Sequence, residues 1–269
     1  MSQEILDKYH IRAKKSLGQN FLVDTNLLDQ ISLAGNIEGD DIIEVGPGYG
    51  ALTEKLIDKS PKSLTLIELD KDMISVLEER ISFSELDFGD TKYEIVNQDI
   101  LQYEPSLENY KVIANIPYYI TSPILRHFLY EVSIKPNIML ILMQKDVGDK
   151  ILRKNKGKSS VLSLIVEKKC RVSENILVPK ESFIPQPKVE SSVLRFETHT
   201  DYSEIDDDNF LRIIKIGFSE ARKKLIKNLV KGGIEKDKIL EFYSQNNFSE
   251  NTRAEELDIR QWCDLIKTI

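Results

Sequence analysis

The stretch Asp41-Ile42-Ile43-Glu44-Val45-Gly46-Pro47-Gly48-Tyr49-Gly50 constrains this chain more than any other. Its apolar run is too short for a buried helix, and glycines separate it from a helical pattern that starts at Ala51. It therefore reads as a buried strand that turns sharply into a helix. The alternation continues on both sides. Asp24 reads as the cap of a helix through Leu27, Leu28, Ile31 and Leu33 that stops at Gly35-Asn36. Residues 63–69 form a second apolar run, and Asp70 caps a helix with Met73, Ile74, Leu77 and Ile81 on one face. Residues 93–96, 110–114 and 138–143 read as further strands. Short strands alternating with helices over residues 24–150 predict βα units on a largely parallel, Rossmann-like sheet, an α/β fold.

Past Lys158 the regularity loosens. Residues 161–166 fit helix or strand equally, because a short apolar run has no decisive period. Phe183-Ile184-Pro185-Gln186-Pro187 is a proline-stiffened loop, and residues 192–196 read as an edge strand after it. The acidic segment 201–208 marks a boundary. The expected division is a catalytic domain over 1–200 and a small all-helical domain over 201–269. A length of 269 residues suits this, since folding at that size buries roughly three quarters of the unfolded surface.

The composition, 41% apolar, is that of a globular chain, and no apolar run approaches the roughly 18 residues of a membrane span. Met1-Ser2-Gln3-Glu4 is acidic ahead of any apolar stretch, so neither a signal peptide nor a membrane partner is expected. Cys170 and Cys263 belong to no metal-ligand spacing; two reduced thiols in a cytoplasmic protein are expected, with no metal site. The net charge of −7 argues against nucleic acid only as a sum, because phosphate contacts need a local positive face. Three segments offer one: Lys8, Arg12, Lys14 and Lys15; then Lys145, Lys150, Arg153, Lys154, Lys156 and Lys158; then Arg222, Lys223, Lys224, Lys227 and Lys231.

Two features carry chemistry. Glu68 ends the strand that follows the glycine turn, about 20 residues on, where an acid accepts hydrogen bonds from ribose hydroxyls. With Gly46 and Gly48 it signals a nucleoside-containing ligand, and at this point a dinucleotide fits as well as any other. Asp99, after the next strand, sits where an acid meets an adenine amino group. The second feature is Asn115-Ile116-Pro117-Tyr118, at the end of the strand 110–114. An exocyclic adenine amine is a poor nucleophile because its lone pair is delocalised into the ring. Two acceptors aimed at its N–H groups, the Asn115 side-chain oxygen and the Ile116 carbonyl, would pull the nitrogen towards tetrahedral geometry. Pro117 has no N–H and stiffens the turn. Tyr118 gives a face on which the base can stack, worth on the order of 1–3 kcal/mol against the cost of unstacking it.

Together these residues resemble the rRNA adenine N6-dimethyltransferase family, most closely its KsgA-type small-subunit branch. The resemblance spans nearly the whole chain. It runs from Gly18-Gln19-Asn20-Phe21-Leu22 through Glu44-Val45-Gly46-Pro47-Gly48, Ile67-Glu68-Leu69-Asp70, Gln98-Asp99 and Asn115-Ile116-Pro117-Tyr118. It continues to Gln144-Lys145, Phe183-Ile184-Pro185-Gln186-Pro187-Lys188-Val189 and Arg253-Ala254-Glu255. It implies a class I S-adenosylmethionine-dependent methyltransferase fold with a helical C-terminal domain. S-adenosylmethionine would be held by Asn20, Leu22, Gly46, Gly48, Glu68, Leu69, Asp99, Ile100 and Asn115, with residues 1–23 as a basic segment and lid. Phe183 would close on the target base opposite Tyr118. Lys14, Lys15, Lys145, Arg153, Lys154, Arg222, Lys223 and Lys224 would grip RNA phosphates. The implied reaction is dimethylation of two adjacent adenosines in the 3′-terminal hairpin loop of 16S rRNA by a monomer acting in small-subunit assembly. Two departures from the family pattern stand out: Ala221 where an arginine is usual, and Ser159-Ser160-Val161 where Tyr-Gly is usual. An Erm-type enzyme acting on 23S rRNA and a non-catalytic assembly or transcription factor on the same fold are the competing expectations.

Overall fold

The glycine turn lies at the end of an interior strand of a sheet built as the alternation predicts. A computed structural model describes residues 2–154, 157–220 and 222–269 of the chain. Lys156 and Ala221 lie outside the described residues. The strands are β1 (Phe21–Leu22), β2 (Asp41–Val45), β3 (Ser63–Glu68), β4 (Lys92–Asn97), β5 (Tyr110–Asn115), β6 (Ile138–Gln144), β7 (Cys170–Val178), β8 (Phe183–Ile184) and β9 (Ser191–Thr198). Helices α1 (Ser2–Lys8), α2 (Thr25–Gly35), α3 (Ala51–Ile57), α4 (Lys71–Ser82), α5 (Thr121–Arg126), α6 (Lys145–Ile151) and α7 (Val161–Glu167) alternate with the strands. They are followed by α8 (Asp207–Gly217), α9 (Leu225–Lys231), α10 (Lys236–Gln245) and α11 (Ile259–Thr268).

Among the described residues the sheet runs in the order β4-β3-β2-β5-β6-β9-β7. The pairs from β4 to β6 are parallel, with Val45 opposite Ile67 on one side and Ala114 on the other, and β9 returns antiparallel to β6. Ile42, Ile43 and Val45 are all buried, as are Leu64, Leu66 and Ile67, because helices cover both faces of a parallel sheet. The chain winds outward from β2 to β4 and then crosses back to β5. The reversal leaves a crevice beyond the carboxyl ends of β2 and β5, where ligands bind in such sheets.

Local signals set the helix ends. Asp24 accepts hydrogen bonds from the N–H groups of Asn26 and Leu27 at the start of α2, and Asn36 ends that helix in the left-handed region at φ 45°. The ambiguous run 161–166 is a helix, because Ser160 and Ser163 form a reciprocal cap at its start. Two expectations need correction. The strand around 192–196 is not an edge strand: β9 lies between β6 and β7, with Ser191, Ser192, Val193, Leu194 and Phe196 all buried. The edge is β7, whose sequence mixes Arg171, Ser173, Glu174 and Asn175 into a pattern with no apolar period. The acidic segment 201–208 is only partly a linker, since Asp206 caps α8 and Asp207 and Asp208 occupy its first turn, where the helix dipole favours them.

The chain forms two compact units, residues 1–148 with 172–198, and residues 149–171 with 199–269. Against a simple division at 200, the segment 149–171 groups with the C-terminal residues. Its bonds say why: Ser159 donates through its N–H to the Glu255 carbonyl (2.8 Å) and through its hydroxyl to the Leu257 carbonyl (2.6 Å). Lys168, fully buried, donates to the Ile205 carbonyl (2.8 Å) and pairs with Asp207. The second unit is otherwise helical, packed around Phe210, Ile214, Leu229, Phe242 and Trp262. Among the described residues no helix is long and apolar enough to cross a membrane. Cys170 and Cys263 are buried free thiols.

The start of α3 tolerates no side chain. Gly50 has φ +88°, and a Cβ there would sit 2.9 Å from both Leu77 Cδ2 and Leu86 Cδ1, which are themselves fully packed. Gly50→Ala is expected to cost about 1–3 kcal/mol through left-handed strain and overpacking. A thermal unfolding midpoint equal to that of the unmodified protein would contradict this packing.

Candidate active site

At the carboxyl ends of β2, β3 and β5 lies a cleft bounded by the glycine turn, the residues after β4, the segment 17–22 and Phe183. Asn20, Leu22, Gly46, Gly48, Glu68, Leu69, Asp99, Ile100 and Asn115 all line it, and so do Ile116, Pro117, Tyr118 and Phe183. Residues that the sequence scatters over 160 positions therefore share one concave surface within the first unit.

Each is held by an identifiable contact. Gly46, at φ +70°, lets the ends of β2 and β5 approach: a Cβ there would be 3.2 Å from the Asn115 carbonyl oxygen. Glu68 is almost fully buried, and two main-chain donors hold its carboxylate, Gly48 N–H on Oε2 (3.1 Å) and Asp70 N–H on Oε1 (2.8 Å). Burial pushes its pKa above the usual carboxylate value, against the pull of those two bonds. A carboxylate accepts about four hydrogen bonds, so capacity remains for ligand hydroxyls. Asp99 accepts the N–H of Leu101 (3.0 Å), which fixes the turn after β4.

The tetrapeptide continues β5 into a single 3₁₀ turn over Tyr118–Ile120. Ile116 is buried, while Asn115, Pro117 and Tyr118 are half-buried at the cleft. Tyr118 Oη is 2.8 Å from the hydroxyl of Ser191, a fully buried residue at the start of β9. Its pKa is raised by burial, so the phenol stays neutral and serves as a ring rather than an anion. Phe183 reaches the cleft because β8 pairs with β1, placing it opposite Leu22. Its ring is buried in the same apolar cluster against which Tyr118 packs.

The family of the chain follows from its length as well as from this cleft. The model of the family described as "Ribosomal RNA adenine dimethylase" matches residues 10–269. The chain belongs to that family. Among similar proteins, "Ribosomal RNA small subunit methyltransferase A" of Fusobacterium nucleatum is 37% identical over 264 residues, covering 94% of this chain and 96% of the relative. The protein of the same name from Clostridioides difficile is 36% identical over 283 residues, covering 100% and 94%. Among solved structures, a dimethyladenosine transferase from Plasmodium falciparum matches with a TM-score of 0.76 at 23% identity, over 91% of this chain and 95% of that one. The 23S rRNA methyltransferase ErmE matches with a TM-score of 0.71 at 22% identity, over 92% and 98%. These structures establish the class I methyltransferase fold, mostly parallel sheet with C-terminal helices. S-adenosylmethionine is the cofactor of this dimethylase family, and the cleft suits it: a recessed acid with free acceptors, a glycine turn in close approach to the end of β5, and apolar walls from Leu22, Leu69 and Ile100.

Many of the basic residues of this dimethylase have acidic partners. Lys14 Nζ lies 2.6 Å from carboxylate oxygens of both Asp70 and Asp72. Arg153 donates to Glu167 (3.2 Å) and the Gly157 carbonyl (2.8 Å), Lys154 lies 3.4 Å from Asp149, and Lys8, Lys158 and Lys231 pair with Glu85, Glu255 and Glu220. Lys15, Arg222 and Lys223 are exposed, and Lys145 and Lys224 are half-buried.

Sequence reasoning missed several neighbours. Gln19 lies in a quoted motif with no role attached to it, and Ser191 meets Tyr118 across 73 residues, which no spacing reveals. Tyr119, well exposed at the mouth of the cleft, had no reading from the sequence. Glu44, on β2 beneath the site, is fully buried and accepts the Thr53 hydroxyl at 2.8 Å.

Burial pushes the Glu44 pKa up from 4.5 to about 8, outweighing the Thr53 hydrogen bond. The folded state thus keeps a proton that the unfolded chain releases near its ordinary pKa. Stability from this group is present below about pH 4.5 and is lost as the pH rises towards 8. At roughly 1.4 kcal/mol per unit this amounts to a few kcal/mol. Glu44→Gln is expected to flatten the decline in unfolding midpoint between pH 5 and pH 8; parallel curves for the two proteins would show that Glu44 is ionised in the fold.

Proposed function

We propose that the chain transfers methyl groups from S-adenosylmethionine to N6 of two adjacent adenosines in the 3′-terminal hairpin loop of 16S rRNA, during small-subunit assembly. The observation that carries the reading is the placement of Asn115-Ile116-Pro117-Tyr118 in the same cleft as Glu68 and the glycine turn, in a chain matched nearly end to end by small-subunit relatives.

In the cleft Glu68 would accept the ribose hydroxyls and Asp99 the adenine amino group, with Leu69 and Ile100 supplying apolar wall. The segment at Asn20 and Leu22 covers the ligand from the N-terminal side. Bound there, S-adenosylmethionine supplies an electrophilic methyl group. The chain does the rest by holding the other reactant. The Asn115 side-chain oxygen and the Ile116 carbonyl accept the two N–H groups of the target amine, so that its lone pair leaves the ring plane. The Tyr118 ring stacks on the flipped base, its hydroxyl tethered by Ser191, and Phe183 supports the other side. Both acceptors are neutral, so no side chain has to take a proton before the bond forms; the amine sheds its proton once methylation has made it acidic. Positioning of this kind supplies roughly 7–11 kcal/mol in favourable cases. Lys15, Lys145, Arg153, Lys154, Arg222, Lys223 and Lys224 contact phosphates, which orient the RNA without reading its sequence.

The test incubates the protein with labelled S-adenosylmethionine and either under-methylated small subunits or large-subunit RNA, with modified adenosines mapped by mass spectrometry. Dimethyladenosine in small-subunit RNA is expected. Modification of large-subunit RNA alone would replace this reading with an Erm-type one, and transfer to neither with a non-catalytic one. Asn115→Ala is expected to lower the transfer rate by about 10²-fold or more while cofactor binding persists. Phe183→Ala is expected to lose less, about 5- to 150-fold, the value of one stacking face. Equal losses in the two variants would argue against the division of roles between acceptor and ring.

A further inference from the structure

We propose that Asp70 is a positioning residue for the cofactor cleft, and that Lys14 and Gln19 bind it to fasten the N-terminal segment over that cleft. The proposal rests on the reading that this cleft takes S-adenosylmethionine. It gives Lys14 a role other than gripping RNA.

Asp70 follows β3 and caps α4, its Oδ1 accepting the N–H of Asp72 at 3.1 Å. A cap needs one acceptor and no more. Here the same carboxylate, with its side chain almost fully buried, also takes Lys14 Nζ on Oδ1 (2.6 Å) and Gln19 Nε2 on Oδ2 (2.8 Å). Gln19 in turn accepts the main-chain N–H of Lys14 at 2.9 Å, which closes residues 14–19 into a rigid loop. Burial works to raise the pKa of Asp70, and the hydrogen bonds from Lys14 and Gln19 outweigh it, so the carboxylate remains ionised. The loop so fixed carries Leu17, Gly18, Gln19 and Asn20 into the wall of the cleft.

On its other side Asp70 reaches the ligand position directly through the chain. Its N–H donates to Glu68 Oε1 at 2.8 Å. The acid that meets the ribose and the strap that covers the cofactor thus hang on one residue. Charge links them as well. Asp70 is a buried anion beside Glu68 and works to raise the Glu68 pKa. Lys14 offsets that field. Loss of the Lys14 side chain would leave the strap held to Asp70 by Gln19 alone and two neighbouring acids less compensated, both of which weaken the hold on a nucleoside. The remainder of the N-terminal segment is anchored elsewhere, by Leu6 against Tyr49 and Met73 and by Lys8 and Tyr9 on Glu85. The bonds to Asp70 can therefore open without detaching the whole segment.

The experiment titrates S-adenosylmethionine and S-adenosylhomocysteine into the full chain by calorimetry and measures KM for each substrate. Lys14→Ala leaves the α4 cap untouched, and Asp70→Asn retains a residue that caps equally well. Each is expected to weaken cofactor binding about 3- to 30-fold, as expected when the binding-competent, closed strap becomes the minor state. KM for the cofactor should rise likewise, while KM for RNA and kcat at saturating cofactor stay close to those of the unmodified protein. The double variant should lose less than the sum of the two single ones, because both disrupt the same Lys14–Asp70 ion pair. Lys14→Arg should restore binding. Trypsin should cut Asp70→Asn faster after Arg12 and Lys15, and cofactor should slow the cut. Unchanged cofactor affinity in Lys14→Ala and Asp70→Asn overturns the proposal. So does a loss confined to RNA affinity, which would make Lys14 a phosphate contact. If the unmodified protein itself bound neither compound, the reading of the cleft would fail, and this inference with it.

Discussion

The parallel pairing of β2 with β3 on one side and β5 on the other is the constraint on which the rest of this molecule depends. It brings Gly46, Glu68 and Asn115 to one edge of the sheet, although they are separated by 22 and 47 positions in the chain. Because the winding reverses between β2 and β5, no crossover helix blocks that edge, and the loops there diverge to leave a cleft. The glycine turn keeps the opening narrow. Its backbone approaches the Asn115 carbonyl so closely that a single methyl group would meet it at 3.2 Å. On the proposed reading, cofactor and target base would be held on adjacent strands of one frame, the arrangement a positioning mechanism requires.

Three acids lie in this small region, Glu44, Glu68 and Asp70, and the fold handles each differently. Glu44 has only a hydroxyl partner and stays protonated near neutrality. Glu68 is held by two main-chain N–H groups, with acceptor capacity left for a ligand. Asp70 is ionised and met by a lysine and an amide. An unpaired buried charge is costly, so partners distribute the ionisation: charge is kept where a cation faces it and suppressed where none does. Of these three acids only Glu68 lines the cleft, and its two neighbours are committed to partners of their own.

What the sequence made legible was local. Asp24 and Asp70 announce helix starts because a cap and its helix are adjacent in the chain, and the apolar runs 41–45, 63–69 and 110–114 announce strands because both faces of a parallel sheet are covered. The cleft was legible for a related reason: in this topology every parallel strand delivers its carboxyl end to the same side, so residues just after strands must converge. Contacts that depend on the antiparallel return were not legible. Whether 192–196 lies inside the sheet or at its edge depends on β7, whose polar sequence gives no period, and the Ser191–Tyr118 bond depends on that placement. The grouping of 149–171 with the C-terminal residues was hidden for the same reason, since Ser159 and Lys168 make it through partners 37 to 98 residues further along the chain.

The basic residues show why charge counts mislead in both directions. A net charge of −7 suggested no anionic partner, and clusters of lysine and arginine suggested three contact patches. In the structure many of those cations already have acids beside them, and what such a pair offers a phosphate is different from what a free lysine offers. An exposed ion pair contributes little, because water screens it, so Lys158 or Lys231 could leave its carboxylate for a phosphate at small cost. Lys14 is another matter, because its partner Asp70 is buried and would be left as an uncompensated anion next to Glu68. The distinction between a cation that a phosphate can recruit and one that the fold has already committed lies in the burial of the acid, which no reading of the sequence supplies.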